Sequence, residues 1–242
     1  MNTVHWMLPL IGSLVFGAMA SAQNSDDIQF TSSRVNCFTS SRITGLAEVL
    51  VLRPHESEGS AKTSQYNAAY RLSAGWMGHC GLGARVRWFE YSVETDREDY
   101  NLYGLDAEMT GDYQLGCSWN GLLALGVRHS NFEEVHDANV RAWGPSVTAE
   151  LRRSLINNID LFGSARYAIL FGQDHEPGND TRDITNAYSE LQVGFECHRC
   201  LCGSRTLFVR AAAEGQHWNG SADRDTEDFG LFGGTFAVGI AR

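Results

Sequence analysis

Tyr103-Gly104-Leu105-Asp106-Ala107-Glu108-Met109-Thr110-Gly111-Asp112-Tyr113-Gln114-Leu115 alternates without a break. Side chains of an extended chain point to opposite faces in turn. Tyr103, Leu105, Ala107, Met109, Gly111, Tyr113 and Leu115 therefore share one face, and Gly104, Asp106, Glu108, Thr110, Asp112 and Gln114 share the other. The strand so defined is two-faced and longer than the about five or six residues usual in soluble sheets.

The same two-residue period recurs on both sides of it, with no sustained 3.6-residue apolar period from Thr44 onward. Before it lie Ala47, Val49, Val51 against Glu48; Tyr70, Leu72, Ala74, Trp76 against Arg71, Ser73; and Ala84, Val86, Trp88 against Arg85, Arg87. After it come Leu123, Leu125, Val127 against Ala124, Gly126, Arg128; Val147, Ala149, Leu151 against Thr148, Glu150, Arg152; and Ile159, Leu161, Gly163, Ala165, Tyr167, Ile169 against Ser164, Arg166. Leu191, Val193, Phe195 against Glu190, Gln192, Glu196 follow, then Val209, Ala211, Ala213 against Arg210, Ala212, Glu214, and last Phe232, Phe236, Val238, Ile240 against Thr235, Ala237, Gly239, Ala241. Ten strands result, an even number of the kind found in closed antiparallel bacterial barrels.

The links alternate in length. Those around Pro54 to Thr63, Val93 to Asp99, Asn131 to Asn139, Gln173 to Thr185 and Asn219 to Glu227 are polar and longer than those near Gly78-His79-Cys80-Gly81, Gly116-Cys117-Ser118, Asn157-Asn158 and Cys200 to Ser204. Outer-membrane barrels have short periplasmic turns and longer external loops, so the pattern predicts both ends of the barrel in the periplasm. The long links, taken through Asp228, hold 17 acidic residues against Lys62, Arg97, Arg182 and Arg224, a net −13. The strands' polar faces are nearly balanced: Arg71, Arg85, Arg87, Arg128, Arg152, Arg166 and Arg210 against Glu48, Asp106, Glu108, Asp112, Glu150, Asp160, Glu190, Glu196 and Glu214.

Cost decides which face is inside. An arginine at the bilayer midplane of a barrel wall costs about 2–4 kcal/mol. The charged face is therefore expected to line the lumen, and the apolar face, flanked by Trp76, Trp88, Tyr103, Tyr113, Trp143 and Tyr167 like an aromatic girdle, to meet lipid. A soluble ligand-binding barrel has the opposite arrangement, an apolar lumen and a wet exterior. Lys62 is the only lysine beside 18 arginines, and the planar guanidinium suits ion pairs held in a confined space.

Met7 to Ala20 is apolar and is followed by Ala20-Ser21-Ala22, a small-x-small cleavage pattern, and by a polar stretch. The expected organisation is a signal peptide over 1–22, a periplasmic segment over 23–43 and an outer-membrane barrel over 44–242. The chain has 242 residues, a net charge of −10 and 43% hydrophobic residues. Beyond the N-terminus it has no apolar run of helix-spanning length. The acidic balance argues against nucleic acid as a partner.

No phosphate loop, nucleophile elbow, HExxH or dinucleotide fingerprint occurs. No enzyme, cofactor or metal site is expected. An outer-membrane hydrolase would have to draw on loop carboxylates with His129, His136, His175 or His217. Cys197-x-x-Cys200-x-Cys202 is incomplete as a zinc site. In an exported chain, disulfides are the expected use of Cys37, Cys80, Cys117, Cys197, Cys200 and Cys202. All six fall by topology on the periplasmic rim; Cys80 with Cys117, in neighbouring turns, is the first expected bridge, and Cys37 with Cys200 or Cys202 the next.

Gly45 to Leu50, Tyr70-Arg71-Leu72, Leu105 to Glu108, Gly126-Val127-Arg128, Trp143 to Val147, Leu161 to Ala165, Glu190 to Gly194 and Glu214 to Trp218 resemble, in that order, the pore-forming outer-membrane proteins of the Legionella major outer-membrane type, the planctomycete versions most of all. The resemblance implies an outer-membrane barrel with pore activity, in contact with outer-membrane lipid and inserted by the barrel-assembly machinery. From the residues alone, two functions stand: a narrow pore for small ions or solutes, and a non-conducting barrel that displays acidic loops.

Overall fold

The computed structural model describes residues 41–56, 65–94, 99–115, 118–134, 139–156, 158–175, 181–201, 205–221 and 229–242. The expected signal peptide and N-terminal segment lie outside the described residues up to 40. Ten strands follow in order: β1 (Arg42–Glu56), β2 (Asn67–Met77), β3 (Leu82–Glu94), β4 (Asp99–Leu115), β5 (Trp119–Glu134), β6 (Asn139–Ile156), β7 (Ile159–His175), β8 (Arg182–Cys200), β9 (Thr206–Ser221) and β10 (Phe229–Ala241). Each pairs antiparallel with its sequence neighbours, and β10 closes on β1 from Thr44↔Ala241 to Glu56↔Phe229. Reciprocal bonds between Ile43 and Arg242, at 2.7 and 2.9 Å, finish the seam. Closure leaves no unpaired edge, the condition under which strands can cross lipid.

The alternation sorts as cost demands. Val49, Leu72, Val86, Leu125, Val193 and Val238 are exposed on the outer face, and Met109 reaches 75% exposure. Tyr103 and Tyr113 lie on the same outer face of β4, ten positions apart. That is about 33 Å along the strand. At the usual tilt it projects to roughly 25 Å, the height of an apolar band between aromatic girdles.

Turn chemistry appears where the short links predicted it. Gly81 (φ 72°) and Asn158 (φ 69°) take left-handed backbone in the β2–β3 and β6–β7 turns, a conformation that glycine and asparagine adopt at the least steric cost.

Three of the long links are shorter than expected, the β7–β8 ladder running on to Asp174↔Arg182. The β3–β4 ladder continues to Glu94↔Asp99 and the β5–β6 ladder to Glu133↔Asn139, leaving only 95–98 and 135–138 between strands. Strands therefore run past the apolar outer band at this end, β8 being 19 residues long. The extension has its own core. Val93, Leu102 and Leu231 are buried there, with Phe132 and Phe229 packed against them.

Close strand approach depends on small inward residues. A Cβ built on Gly144 would stand 1.9 Å from the Ile169 carbonyl oxygen, whereas one on Gly45 would meet nothing within 4 Å. We expect Gly144→Ala to destabilise the barrel by about 1–3 kcal/mol or more through overpacking against backbone, and Gly45→Ala to stay within about 0.5 kcal/mol of wild type. Urea unfolding of refolded protein, followed by tryptophan fluorescence, separates the two.

Candidate functional site

All ten strands bring polar side chains to the lumen. Glu48, Arg71, Arg87, Asp106, Glu108, Arg128, Glu150, Asp160, Arg166, Glu190, Glu196, Arg210 and Glu214 are buried in it, and Arg85 and Arg152 are partly so. Asp112 sits nearer the short-turn rim, where Arg42 donates to it at 2.8 Å.

Strand register alone does not determine the pairing. Arg85 donates to its cross-strand neighbour Glu108 at 2.7 Å, and then crosses the bore to Glu150 on β6. Arg87 faces Asp106 in register, yet its guanidinium donates to Glu190 on β8 at 2.6 and 2.8 Å. Asp106 instead accepts from Arg128 at 3.0 Å and from Arg166. Arg152 lies between Glu150, at 3.0 Å, and Glu196, at 3.3 Å.

Arg71 has the densest surroundings. It donates to Glu48 at 2.9 Å and to both oxygens of Glu214, and lies 3.5 Å from Glu190. Glu214 also accepts from Gln192 at 2.7 Å, Gln216 at 2.6 Å and Thr235 at 2.6 Å. Both Arg71 and Glu214 are 1% exposed. An ion taken out of water needs this many partners, because desolvation of an unmatched charge costs several kcal/mol. Glu108 is completed in the same way, by Thr148 at 2.8 Å.

A second layer lies toward the long-link end, and the period-two reading did not reveal it. Leu50, Leu52, Phe89, Tyr91, Val93, Leu102 and Leu231 form one buried inward cluster, and Ala142, Ala168, Leu170 and Tyr188 form another; Trp218 packs against both. The expected arginine- and carboxylate-lined lumen is thus capped by apolar side chains. Arg128 joins the layers. Its guanidinium stacks 3.9 Å from the Tyr188 ring centre and 5.3 Å from that of Trp218, a cation–π geometry. Gly104 leaves room for it, since a Cβ there would come within 2.6 Å of Nη2. The Tyr188 hydroxyl in turn donates to Glu190.

The histidines considered for hydrolysis are not brought together. His129 lies on the outer face of β5, edge-on to Tyr103 at 6.2 Å, and His217 lies on β9. His136 is outside the described residues, as is the side chain of His175. Cys80, Cys197 and Cys200 are exposed free thiols. The bridge expected at Cys80 is therefore not formed in this structure, and Cys37, Cys117 and Cys202 lie outside the described residues.

No family model matches the sequence, and no curated protein does. Among solved structures, the translocator domain of the autotransporter NalP from Neisseria meningitidis is similar over 96% of this chain and 95% of that one, at 10% identity and a TM-score of 0.45. Neisserial surface protein A aligns over 82% and 95%, at 12% identity and 0.38. The outer-membrane protease OmpT from Escherichia coli aligns over 83% and 94%, at 8% identity and 0.43.

Removing one partner from a buried ion cluster typically costs about 3–5 kcal/mol, because the others are left uncompensated. Arg71→Met should lose stability on that scale, leaving Glu48, Glu190 and Glu214 facing one another. Adding Glu214→Gln should restore part of the loss. Urea midpoints of the single and double variants check both statements.

Proposed function

We propose that this chain is an outer-membrane barrel whose resting lumen is closed, and that its role is to hold acidic, strand-supported extensions at the outer surface rather than to conduct steadily. The supporting observation is the set of ion pairs that cross the bore: β3 to β6 through Arg85 and Glu150, β3 to β8 through Arg87 and Glu190, and β2 to β9 through Arg71 and Glu214.

Size explains why such bridging is possible. An eight-stranded barrel is just filled by side chains, and wide aqueous channels need about 16 strands. At ten strands, arginine, glutamate and aromatic residues are long enough to meet across the middle. An ion entering would have to displace matched charges and then pass the apolar cap of Leu50, Leu52, Phe89 and Leu102, whose side chains cannot replace its hydration shell.

The membrane assignment rests on the apolar exterior with its aromatic borders, and the orientation on the placement of the short turns. Export by the N-terminal segment and insertion by the barrel-assembly machinery belong to the same reading. Enzymatic activity does not. The buried carboxylates Glu108, Glu150, Glu190 and Glu214 are already engaged by guanidiniums, so they are poorly placed to take a proton from a substrate.

Planar-bilayer recording tests the proposal. The refolded wild type should show no steady conductance, and the double substitution Arg87→Ser, Leu52→Ser, which opens both layers, should produce a small leak. Steady, ohmic wild-type conductance with cation preference would favour the narrow pore with an acidic mouth instead; that preference should weaken as salt screens the rim over about 8 Å at physiological strength.

A further inference from the structure

The outer face is not apolar throughout. Toward the long-link end of β6, β7 and β8, two rows of outward side chains run across the three strands. Arg141 stands opposite Gln173, which stands opposite Asp183. One step toward the apolar band, Trp143 stands opposite Phe171, which stands opposite Thr185. Between the rows is an open cavity of about 510 Å³, lined by these six residues together with Gly172 and Ile184.

The polar row is only half satisfied. Gln173 Nε2 donates to Asp183 Oδ1 at 3.3 Å, which uses one carboxylate oxygen. Arg141, exposed, makes no ion pair or hydrogen bond with any described residue. Below it, Trp143 and Phe171 are 67% and 53% exposed.

An aromatic row of this kind marks the border between hydrocarbon and headgroups, so the cation directly above it lies at headgroup level. A charge there, with the apolar band beneath it and no partner among the described residues, favours an anion held at the same depth. The guanidinium fork matches phosphate in a bidentate manner. Two strands away, Asp183 keeps an acceptor free for hydroxyl or ammonium donors, and the exposed Trp143 ring offers a flat apolar surface beside them.

We propose that this notch binds the headgroup of one phosphate-bearing membrane lipid, with the phosphate on Arg141, hydroxyl or ammonium donors on Asp183, and the acyl chains running down past Trp143 and Phe171. The site rests on the membrane reading above and adds a ligand to it. The charges are complementary: the row presents a cation and an anion at opposite ends of the cavity, as a headgroup with a phosphate and a donor group would require.

Native mass spectrometry of the refolded barrel, released from vesicles of phosphatidylethanolamine and phosphatidylglycerol, reads the number of lipids retained. One tightly held phospholipid per barrel is expected. Arg141→Ala should weaken retention at least tenfold, Arg141→Lys should restore part of it, and Arg53→Ala, a change of another outward arginine on β1, should leave it unchanged. Asp183→Asn should weaken phosphatidylethanolamine more than phosphatidylglycerol. Equal retention by wild type and Arg141→Ala, equal retention of a diacylglycerol that lacks phosphate, or displacement of the lipid by millimolar inorganic phosphate would each overturn the proposal. Failure of wild type to float with vesicles would overturn the membrane reading and the site with it; flotation with unaltered retention in Arg141→Ala overturns the site alone.

Discussion

Closing ten strands on themselves leaves a bore too narrow for bulk water to hydrate every inward charge, and the ion pairing of Arg71 with Glu48, Glu190 and Glu214 follows from that constraint. The seven arginines of the strands' polar faces point inward, where the carboxylates are; in the membrane reading proposed above, lipid would exclude them more strongly. Once inside, each must be matched by carboxylates. Because the seam brings β10 beside β1, β2 comes within reach of β9, and carboxylates 23 and 143 positions away along the chain can serve one guanidinium. A buried cluster of this kind contributes little net stability relative to a well-packed apolar core of the same volume. Its effect is on specificity. A one-residue slip would turn a whole strand's charges out of the lumen and away from their partners, so the cluster penalises such a slip.

The cap changes what the cluster can do. Charged walls alone could line a wet channel, with waters completing the shells of Arg85 and Arg152, the two partly exposed members. Toward the long-link end, Leu50, Phe89, Leu102 and Leu170 replace those waters with carbon. Arg128 sits at the boundary, bound to Asp106 on the charged side and stacked on Tyr188 and Trp218 on the other. A guanidinium suits that position because it is weakly hydrated across its face while donating in its plane. The two layers therefore meet without an unpaired charge entering the apolar one.

What the sequence disclosed follows the same physics. Tyr103 to Leu115 states its register outright, because one face is wholly apolar and the other polar or glycine. Strand number, sidedness and the inward arginines could be read from that pattern. The cap could not. In Val49-Leu50-Val51-Leu52 and Ile169-Leu170-Phe171 both faces are apolar, so alternation gives no sign that Leu50, Leu52 and Leu170 point inward; the one available signal was the loss of alternation at strand ends on the long-link side. Nor could the partners of Arg87 be read. Its neighbour Asp106 lies directly opposite in the ladder, and only closure places Glu190 nearer to its guanidinium. Polar residues near Glu94 and Asn139 read as loops, yet ladder pairing continues through them, because Val93, Leu102 and Phe132 supply a core beneath.

The exterior shows the converse of the lumen. Inside, every arginine has a carboxylate within reach, since the protein must supply its own counter-charges where solvent is scarce. Outside, at the border above Trp143 and Phe171, no carboxylate of the described residues pairs with Arg141, an arrangement that suits surroundings able to provide the anion. In a bilayer they do, at a fixed depth, because headgroup phosphates lie in a layer just beyond the hydrocarbon. The same guanidinium chemistry thus serves two ends: paired across the bore it holds the walls together, and at the rim, in the membrane setting proposed above, it would fix the height at which the barrel sits.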